Sequence, residues 1–451
     1  MKIKDFKKMV FKNAKKKGIE HFELYHMSSH EFECSVNKGE IQSYKDAENG
    51  GASFKALKNG KAGYSFTEDY TEDEALRIVV DALENLELID SDDIEVIGTT
   101  QFEIENWEDY KMPFDKISPK KKIEDTKLLE KMILEKDQRI AMVPYCFYTD
   151  MYNEVFFANS NDVEYAFKNG GGGMYAGAMA TNGKQNKFGM DFIFTTDPKQ
   201  IDIEQLASSV ADKSTGLLNA KSLKSGKYPV VLSYNVLGNI LGLLVQMLSA
   251  ENVQKGFSLL KNKLGEKILS DEITITDRRS YQDSIFNCPA DSQGTMTKDK
   301  EIISEGVLTT YLHSLKTALK DGVSPTGNAF RRSYKGTESI LPVNVDFKEG
   351  EISLEGLFKQ MNSGLYITGV QGMHSGANPV SGEFSLGAEG YKIEEGKKAF
   401  PVEQITLSGN LLEMLQDVKL IGSDKQMAMV MSHGMYTPSV LINKMDIAGN
   451  E

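Results

Sequence analysis

Residues 235–249 read Asn-Val-Leu-Gly-Asn-Ile-Leu-Gly-Leu-Leu-Val-Gln-Met-Leu-Ser. The run contains no charged residue, and it has the length and composition of a helix. A helix that is apolar almost all round has to be enclosed by the rest of the protein. The chain has no run of about 18 apolar residues, so lipid is not the expected enclosure and no membrane span is predicted. The helix therefore requires a large core in the second half of the chain. Val230-Val231-Leu232 reads as a short strand that feeds it. With 451 residues and 40% hydrophobic content, the chain can build such a core. Length alone suggests two or three domains.

The first half alternates between strand and helix signals. Residues 4–17 carry Phe6, Met9, Val10 and Ala14 at helical spacing, with a Lys-rich opposite face. This reads as a docked surface helix. Residues 22–66 read as strands separated by Asn37-Lys38-Gly39, Asn49-Gly50-Gly51 and Lys58-Asn59-Gly60. Asn-Gly pairs supply the positive φ of tight hairpin turns. Thr71, followed by Glu74, predicts a capped helix whose buried stripe is Ala75, Ile78, Val79, Ala82, Leu83 and Leu86. Residues 90–115 are acidic and irregular. Ser118-Pro119 opens a further helix with proline at its first position. Residues 145–194 return to strands, interrupted by four glycines at 170–173, which read as a flexible turn or a strand edge. Residues 203–217 form another amphipathic helix. This order predicts an α+β protein with mixed and antiparallel sheets and packed helices. The segment 219–229 is the candidate boundary between an N-terminal domain (1–220) and a Gly-rich, β-dominated C-terminal domain (221–451).

Net charge is −13. Nucleic-acid binders need clustered Lys and Arg against phosphate, so no nucleic-acid partner is expected. Cys34, Cys146 and Cys288 are far apart and odd in number, which fits buried reduced thiols rather than a disulfide framework or a zinc cage. No apolar segment precedes a small-residue cleavage site, so a cytoplasmic protein is expected.

Few residues offer chemistry. His26 and His30 are four apart, but in strand and turn surroundings that spacing does not make a metal pair. His313, His374 and His433 could converge on a metal if the fold brings them together, although isolated histidines are more often simply hydrogen-bonded. Gly372-Met373-His374-Ser375-Gly376 has the wrong spacing for a nucleophile elbow. It reads better as a Gly-rich loop and strand whose backbone approaches a peptide. The glycines at 170–173 lack the Lys-Ser/Thr of a phosphate loop. Asn328 and Arg331 follow a turn signal, and Arg331 could grip a substrate carboxylate or form a structural ion pair. Asn328, Arg331, His374, Ser375 and Asn378 are the candidate substrate-binding residues.

Four blocks carry a resemblance. They are Phe257-Ser258-Leu259-Leu260 with Lys263-Leu264-Gly265-Glu266; Asp291-Ser292-Gln293-Gly294-Thr295 with Glu305-Gly306-Val307-Leu308; Thr317-Ala318 with the run from Pro325 to Arg332; and the run from Gly372 to Gly387. In this order the chain resembles the TldD/PmbA peptidase family. In that family's catalytic branch the apolar helix carries a zinc-binding His-Glu-x-x-x-His. Laid over this chain, the motif falls on Gly242, Leu243 and Met247. The family's C-terminal metal-binding Cys falls in the stretch from Met431 to Ser439, which has no Cys and carries His433 near that slot. Zinc takes imidazole, thiolate or carboxylate, so the motif positions supply no ligand and no base. Ligands five apart on a regular helix diverge by about 140°, so a bulge would have to bring them together. Gly238 and Gly242 leave open whether this helix keeps one.

The resemblance is to the TldE/PmbA branch. It implies a non-catalytic subunit with no cofactor of its own, in a cytoplasmic zinc peptidase that trims or degrades unfolded polypeptides. A TldD-type partner would supply the zinc and the catalytic Glu, and the chain could self-associate where that partner is absent. The alternatives are a hydrolase acting through another site and a peptide-binding interaction protein.

Overall fold

The computed structural model describes residues 1–450 apart from 89–92, 100–103, 105–106, 108 and 431. The stretch 90–115, expected to be irregular, therefore lies partly outside the described residues.

Helix α1 (Ile3–Lys16) buries Phe6, Val10 and Ala14, as its periodicity requires. Strands β1 (His21–Asn37), β2 (Glu40–Lys58) and β3 (Lys61–Thr67) follow as a meander. Lys38 and Gly39 turn the first hairpin, and Asn59 and Gly60 turn the second, all at positive φ. Asn49-Gly50-Gly51 does not turn. It sits inside β2, with Gly50 opposite Ser28 and Gly51 opposite Met27. A side chain on Gly51 would meet the Tyr334 ring at 2.4 Å, so its glycine answers a distant contact rather than a hairpin.

Helices α2 (Glu72–Glu87) and α3 (Pro119–Lys136) are capped by Thr71 and Ser118, whose side chains accept from the amides of Glu74 and Lys121. Strands β4 (Ile140–Asn159), β5 (Glu164–Thr181) and β6 (Asn186–Thr195) complete a six-stranded antiparallel sheet in the order β3-β2-β1-β4-β5-β6. The glycines at 170–173 lie in the interior of β5, paired with β4, and two of them also pair with β6. They are neither a turn nor an edge. A Cβ on Gly171 would come within 2.3 Å of Ile285, and one on Gly172 within 2.8 Å of Phe114, so neighbours occupy the space. Helix α4 (Ile203–Thr215) and α3 cover one face of this sheet through Leu129, Ile133, Leu206 and Val210.

Beyond it come β7 (Gly226–Leu232), α5 (Tyr234–Leu248), α6 (Ala250–Gln254), β8 (Ile275–Arg278), β9 (Lys300–Ser304), β10 (Val307–Leu308) and α7 (Leu315–Asp321). The chain continues through β11 (Ala329–Phe330), β12 (Ser339–Ile340), β13 (Asn344–Phe347), α8 (Leu354–Met361), β14 (Gly364–Gln371) and α9 (Met373–Gly376). It ends with β15 (Glu383–Glu394), β16 (Lys397–Asn410), α10 (Leu411–Gln416), β17 (Val418–Ile421), β18 (Gln426–Met427), β19 (Gly434–Thr437) and β20 (Val440–Ala448). Two mixed sheets result, β10-β9-β8-β13-β19-β18 and β16-β15-β14-β7-β20-β17, and the second closes on itself through β16 and β20. Helix α5 shares one core with both sheets: Leu241 and Leu244 lie in the same cluster as Ile303 and Phe347 of one sheet and Val230 and Ile442 of the other. The fold is α+β. Among the described residues no helix is long and apolar enough to cross a membrane.

Candidate functional site

Helix α5 starts where Ser233 accepts from the Val236 amide, and it runs as regular α-helix to Leu248 without a π-bulge. Ser249 then leaves helical ψ, at 117°, before α6 begins. The helix therefore carries no bulge between Tyr234 and Leu248. Gly242 is half-buried, and a Cβ built on it meets nothing within 4 Å. Leu243 and Met247 are buried in the shared core. The Met247 methyl would lie 3.2 Å from a Cβ on Gly382. These three positions supply an absent side chain, an alkyl group and an enclosed thioether, a donor set that does not fit zinc.

The segment that follows β18 docks on the first turns of α5. Asn235 Oδ1 accepts from the Met429 amide at 3.1 Å, and Thr437 Oγ1 donates to the Tyr234 carbonyl at 2.8 Å. Gly238 permits the contact, since a Cβ there would lie 2.3 Å from that of Ala428. His433 is buried beside this segment. Its Nδ1 is 2.9 Å from Ser432 Oγ, and its Nε2 has no partner among the described residues. Burial holds its pKa down to about 4, opposed by the nearby Asp277 carboxylate. His313 is also buried and pushed down by desolvation, whereas His374 is exposed. Among the described residues no group of three or more His, Cys, Asp or Glu could hold a metal, so these three histidines are not brought together.

Asn328 and Arg331 are structural. Asn328 is fully buried and donates to Asp277 Oδ2 and the Leu341 carbonyl, both at 2.8 Å. Arg331 reaches from the C-terminal region into the first sheet. Its guanidinium donates to Glu23 Oε1 at 2.7 Å, Ser53 Oγ at 2.9 Å and Glu338 Oε1 at 2.5 Å. It also lies 5.0 Å from the Tyr25 ring centroid. Such a guanidinium has no fork left for a substrate carboxylate. Beside it, Asp291 is buried and its pKa is raised to about 7 by desolvation, against amides from Thr295, Gln293 and Ala329 that favour the charge.

His374, Ser375 and Asn378 are exposed on the connection from β14 to β15. Asn378 Oδ1 is occupied by the amides of Val380 and Ser381. Gly382 takes φ of 72°, and a Cβ on Gly376 would lie 2.3 Å from the Ser385 carbonyl. These glycines answer a turn and an internal close approach rather than room for a peptide main chain.

A groove lies on the first sheet, and no motif of the sequence announces it. The face of the first sheet away from α3 and α4 carries Tyr145, Phe147, Thr149 and Met151 on β4, Tyr175 on β5, and Phe188, Met190, Phe192 and Phe194 on β6. Phe147 and Tyr175 stack at 4.6 Å. Opposite that face stand Ile285, Phe286, Met427, Met429 and Val430, and a cavity of about 450 Å³ lies between. Because Met429 is also bonded to α5, the groove borders the segment that docks on the altered helix. Its signal in the sequence is the period-two run Phe188, Met190, Phe192, Phe194, with Gly189 and Asp191 on the opposite side.

Residues 225–449 match the model of the PmbA/TldA metallopeptidase C-terminal domain, 113–218 the central domain and 22–86 domain 1. Metalloprotease PmbA of Escherichia coli O157:H7 is 27% identical over 342 residues, 74% of this chain and 71% of the relative. An uncharacterized protein of Methanocaldococcus jannaschii is 26% identical over 97% of this chain and its own full length. A crystal structure from Thermotoga maritima, described as a candidate modulator of a DNA gyrase, superposes with a TM-score of 0.90 at 34% identity, covering 99% of this chain and 100% of that one. TldE from Thermococcus kodakarensis has a TM-score of 0.90 over 98% of this chain and 99% of its own, and at 21% identity it speaks for the fold alone.

Proposed function

Because the chain belongs to the PmbA/TldD metallopeptidase family, we propose that it is the TldE/PmbA-type subunit of a cytoplasmic complex in which a TldD-type chain holds the zinc. The observation that carries the reading is α5. The helix is intact, capped and docked by the 428–437 segment, yet Gly242, Leu243 and Met247 give it neither ligand nor base. What this chain contributes is binding. The open sheet face and the methionines of 427 and 429 line a groove of a size that takes a ligand. Thioethers and aromatic faces tolerate many side chains, which suits an unfolded polypeptide better than one fixed ligand. No step of hydrolysis is assigned to residues of this chain. Where the TldD-type subunit is absent, the chain associates with itself.

The test is co-purification with a TldD-type chain, with zinc analysis and cleavage of a denatured protein measured for each chain and for the mixture. The expected result is substoichiometric zinc and no cleavage for this chain alone, and zinc-dependent cleavage in the complex. Stoichiometric zinc and cleavage by this chain alone would sink the reading. The groove also favours a second reading, a peptide-binding protein without a peptidase partner, which predicts peptide binding and no gain on mixing.

A further inference from the structure

The charge of the groove is one-sided. Its charged lining residues are Glu31, Glu33 and Asp150, and no Lys, Arg or His lines it among the described residues. Two of these carboxylates are accounted for. Glu31 holds Lys45 at 2.5 Å, and Asp150 holds Lys122 at 2.6 Å. Glu33 has no hydrogen-bond or ion-pair partner among the described residues, although it is half-buried on β1 between Lys45 of β2 and Thr149 of β4. Lys45 is near enough to feel its charge but is bonded to Glu31.

The surroundings of Glu33 are aromatic. Tyr175 lies close enough for the Glu33 charge to act on its phenol. The Tyr175 ring centroid is 6.4 Å from that of Phe194, and Phe192 and Phe194 are 5.5 Å apart. A carboxylate in the same groove as a run of rings is the chemistry that selects a cation on an apolar stem. The rest of the groove, with Met190 and Met429, accepts flexible apolar side chains without fixing their identity.

We propose that this groove selects polypeptide segments in which a lysine or arginine sits among apolar residues, the cationic head seated between Glu33 and the rings of Tyr175, Phe192 and Phe194. The inference rests on the reading that an unfolded polypeptide occupies the groove, and it adds the class of segment that binds. A carboxylate with no partner of its own gains a charge-assisted hydrogen bond when the cation enters, while the aliphatic stem replaces water over apolar walls. An acidic segment would place like charges together. The neutral isostere would lose only the polar part of the contact.

The test uses the full chain and short unstructured peptides of Leu and Phe around one central Lys, with matched peptides carrying Gln or Glu, all followed by fluorescence anisotropy. The Lys peptide is expected to bind about tenfold more tightly than the Gln peptide, and the Glu peptide most weakly. Glu33→Gln should bring the Lys and Gln peptides within about twofold of each other while leaving the Gln peptide's affinity unchanged. Phe192→Ala should weaken all three and keep a preference for Lys. Circular dichroism checks that both variants fold, which the half-exposed position of each side chain favours. Equal affinities for the three peptides, a preference that survives Glu33→Gln, or no binding by the folded wild type would each overturn the proposal. Partnership is read separately. If a TldD-type chain adds no cleavage but the Lys preference stands, the subunit reading fails and the groove assignment holds.

Discussion

Helix α5 and the open face of the first sheet are both rich in apolar residues, and they end in opposite states. Most of α5 is buried, in one core with two sheets, and Leu243 and Met247 are packing elements of that core. The sheet face carries residues as large as Tyr145, Met151 and Phe188 with exposures of 49%, 41% and 37%, and C-terminal segments cover only part of it. Leu243 and Met247 of the helix are interior, so ligands placed there would have to fight the core. The sheet face kept its access, so its side chains remain available to a polypeptide.

The largest expected effect tests the interior state of the helix. Leu243→Glu puts a carboxylate among Leu241, Leu244 and the strands around them. Its cost should be about 4–5 kcal/mol or more, read by urea unfolding. The triple variant Gly242→His, Leu243→Glu, Met247→His should therefore fail on stability before zinc is considered. A loss below about 1 kcal/mol would show that α5 is not sealed.

Next comes Arg331, which ties the 329–340 segment to the first sheet. Arg331→Ala removes the guanidinium that bonds both Glu23 and Glu338 and leaves them only the charge of nearby Lys55, which should cost about 3 kcal/mol in the same assay. A neutral result would mean that other contacts hold the 329–340 segment on the first sheet.

His433 gives a pH-dependent effect of intermediate size. Its folded pKa of about 4 lies below the unfolded value near 6.5, so the unfolded chain binds the proton first. The neutral ring's contribution is complete above about pH 6.5 and is lost as pH falls toward 4. Relative to His433→Gln, the wild type should lose roughly 3 kcal/mol across that window. Reading the difference between the two proteins removes the opposite slope that the raised Asp291 contributes. A flat difference would place His433 in water.

The smallest effect marks the one motif position that is not filled. Gly242→His enters open space on a helix, so stability should change by less than about 1 kcal/mol. Zinc content should stay unchanged, because the other two motif positions, Leu243 and Met247, supply no zinc ligand. Stoichiometric zinc in this variant would show that the helix surroundings are better furnished with donors than the contacts indicate.

Local chemistry was legible in the sequence. The caps at Thr71 and Ser118, the Asn59-Gly60 hairpin and the burial of the 235–249 helix all depend on residues close in the chain. The family was legible from blocks whose spacing survives substitution. What failed depended on contacts made across the molecule. Gly50-Gly51 and the glycines at 170–173 look like turns, but their missing side chains make room for Tyr334, Phe114 and Ile285. Asn328 and Arg331 look like a binding pair, because the sequence does not show that their partners are Asp277, Glu23 and Ser53. The groove was missed because its two walls come from segments far apart in the chain.

Ile285 meets Gly171 where any larger residue would collide with it. The aperture between the sheet and the 284–287 loop is thus gauged by a missing methyl group. An alanine at 171 would press on Ile285 and on the Thr195 carbonyl of β6 together, so it would shift the loop and the sheet edge and change the calibre of the groove. In this chain the width of the groove at Gly171 and the carboxylate at Glu33 sit on different strands, so bore and charge can be varied separately.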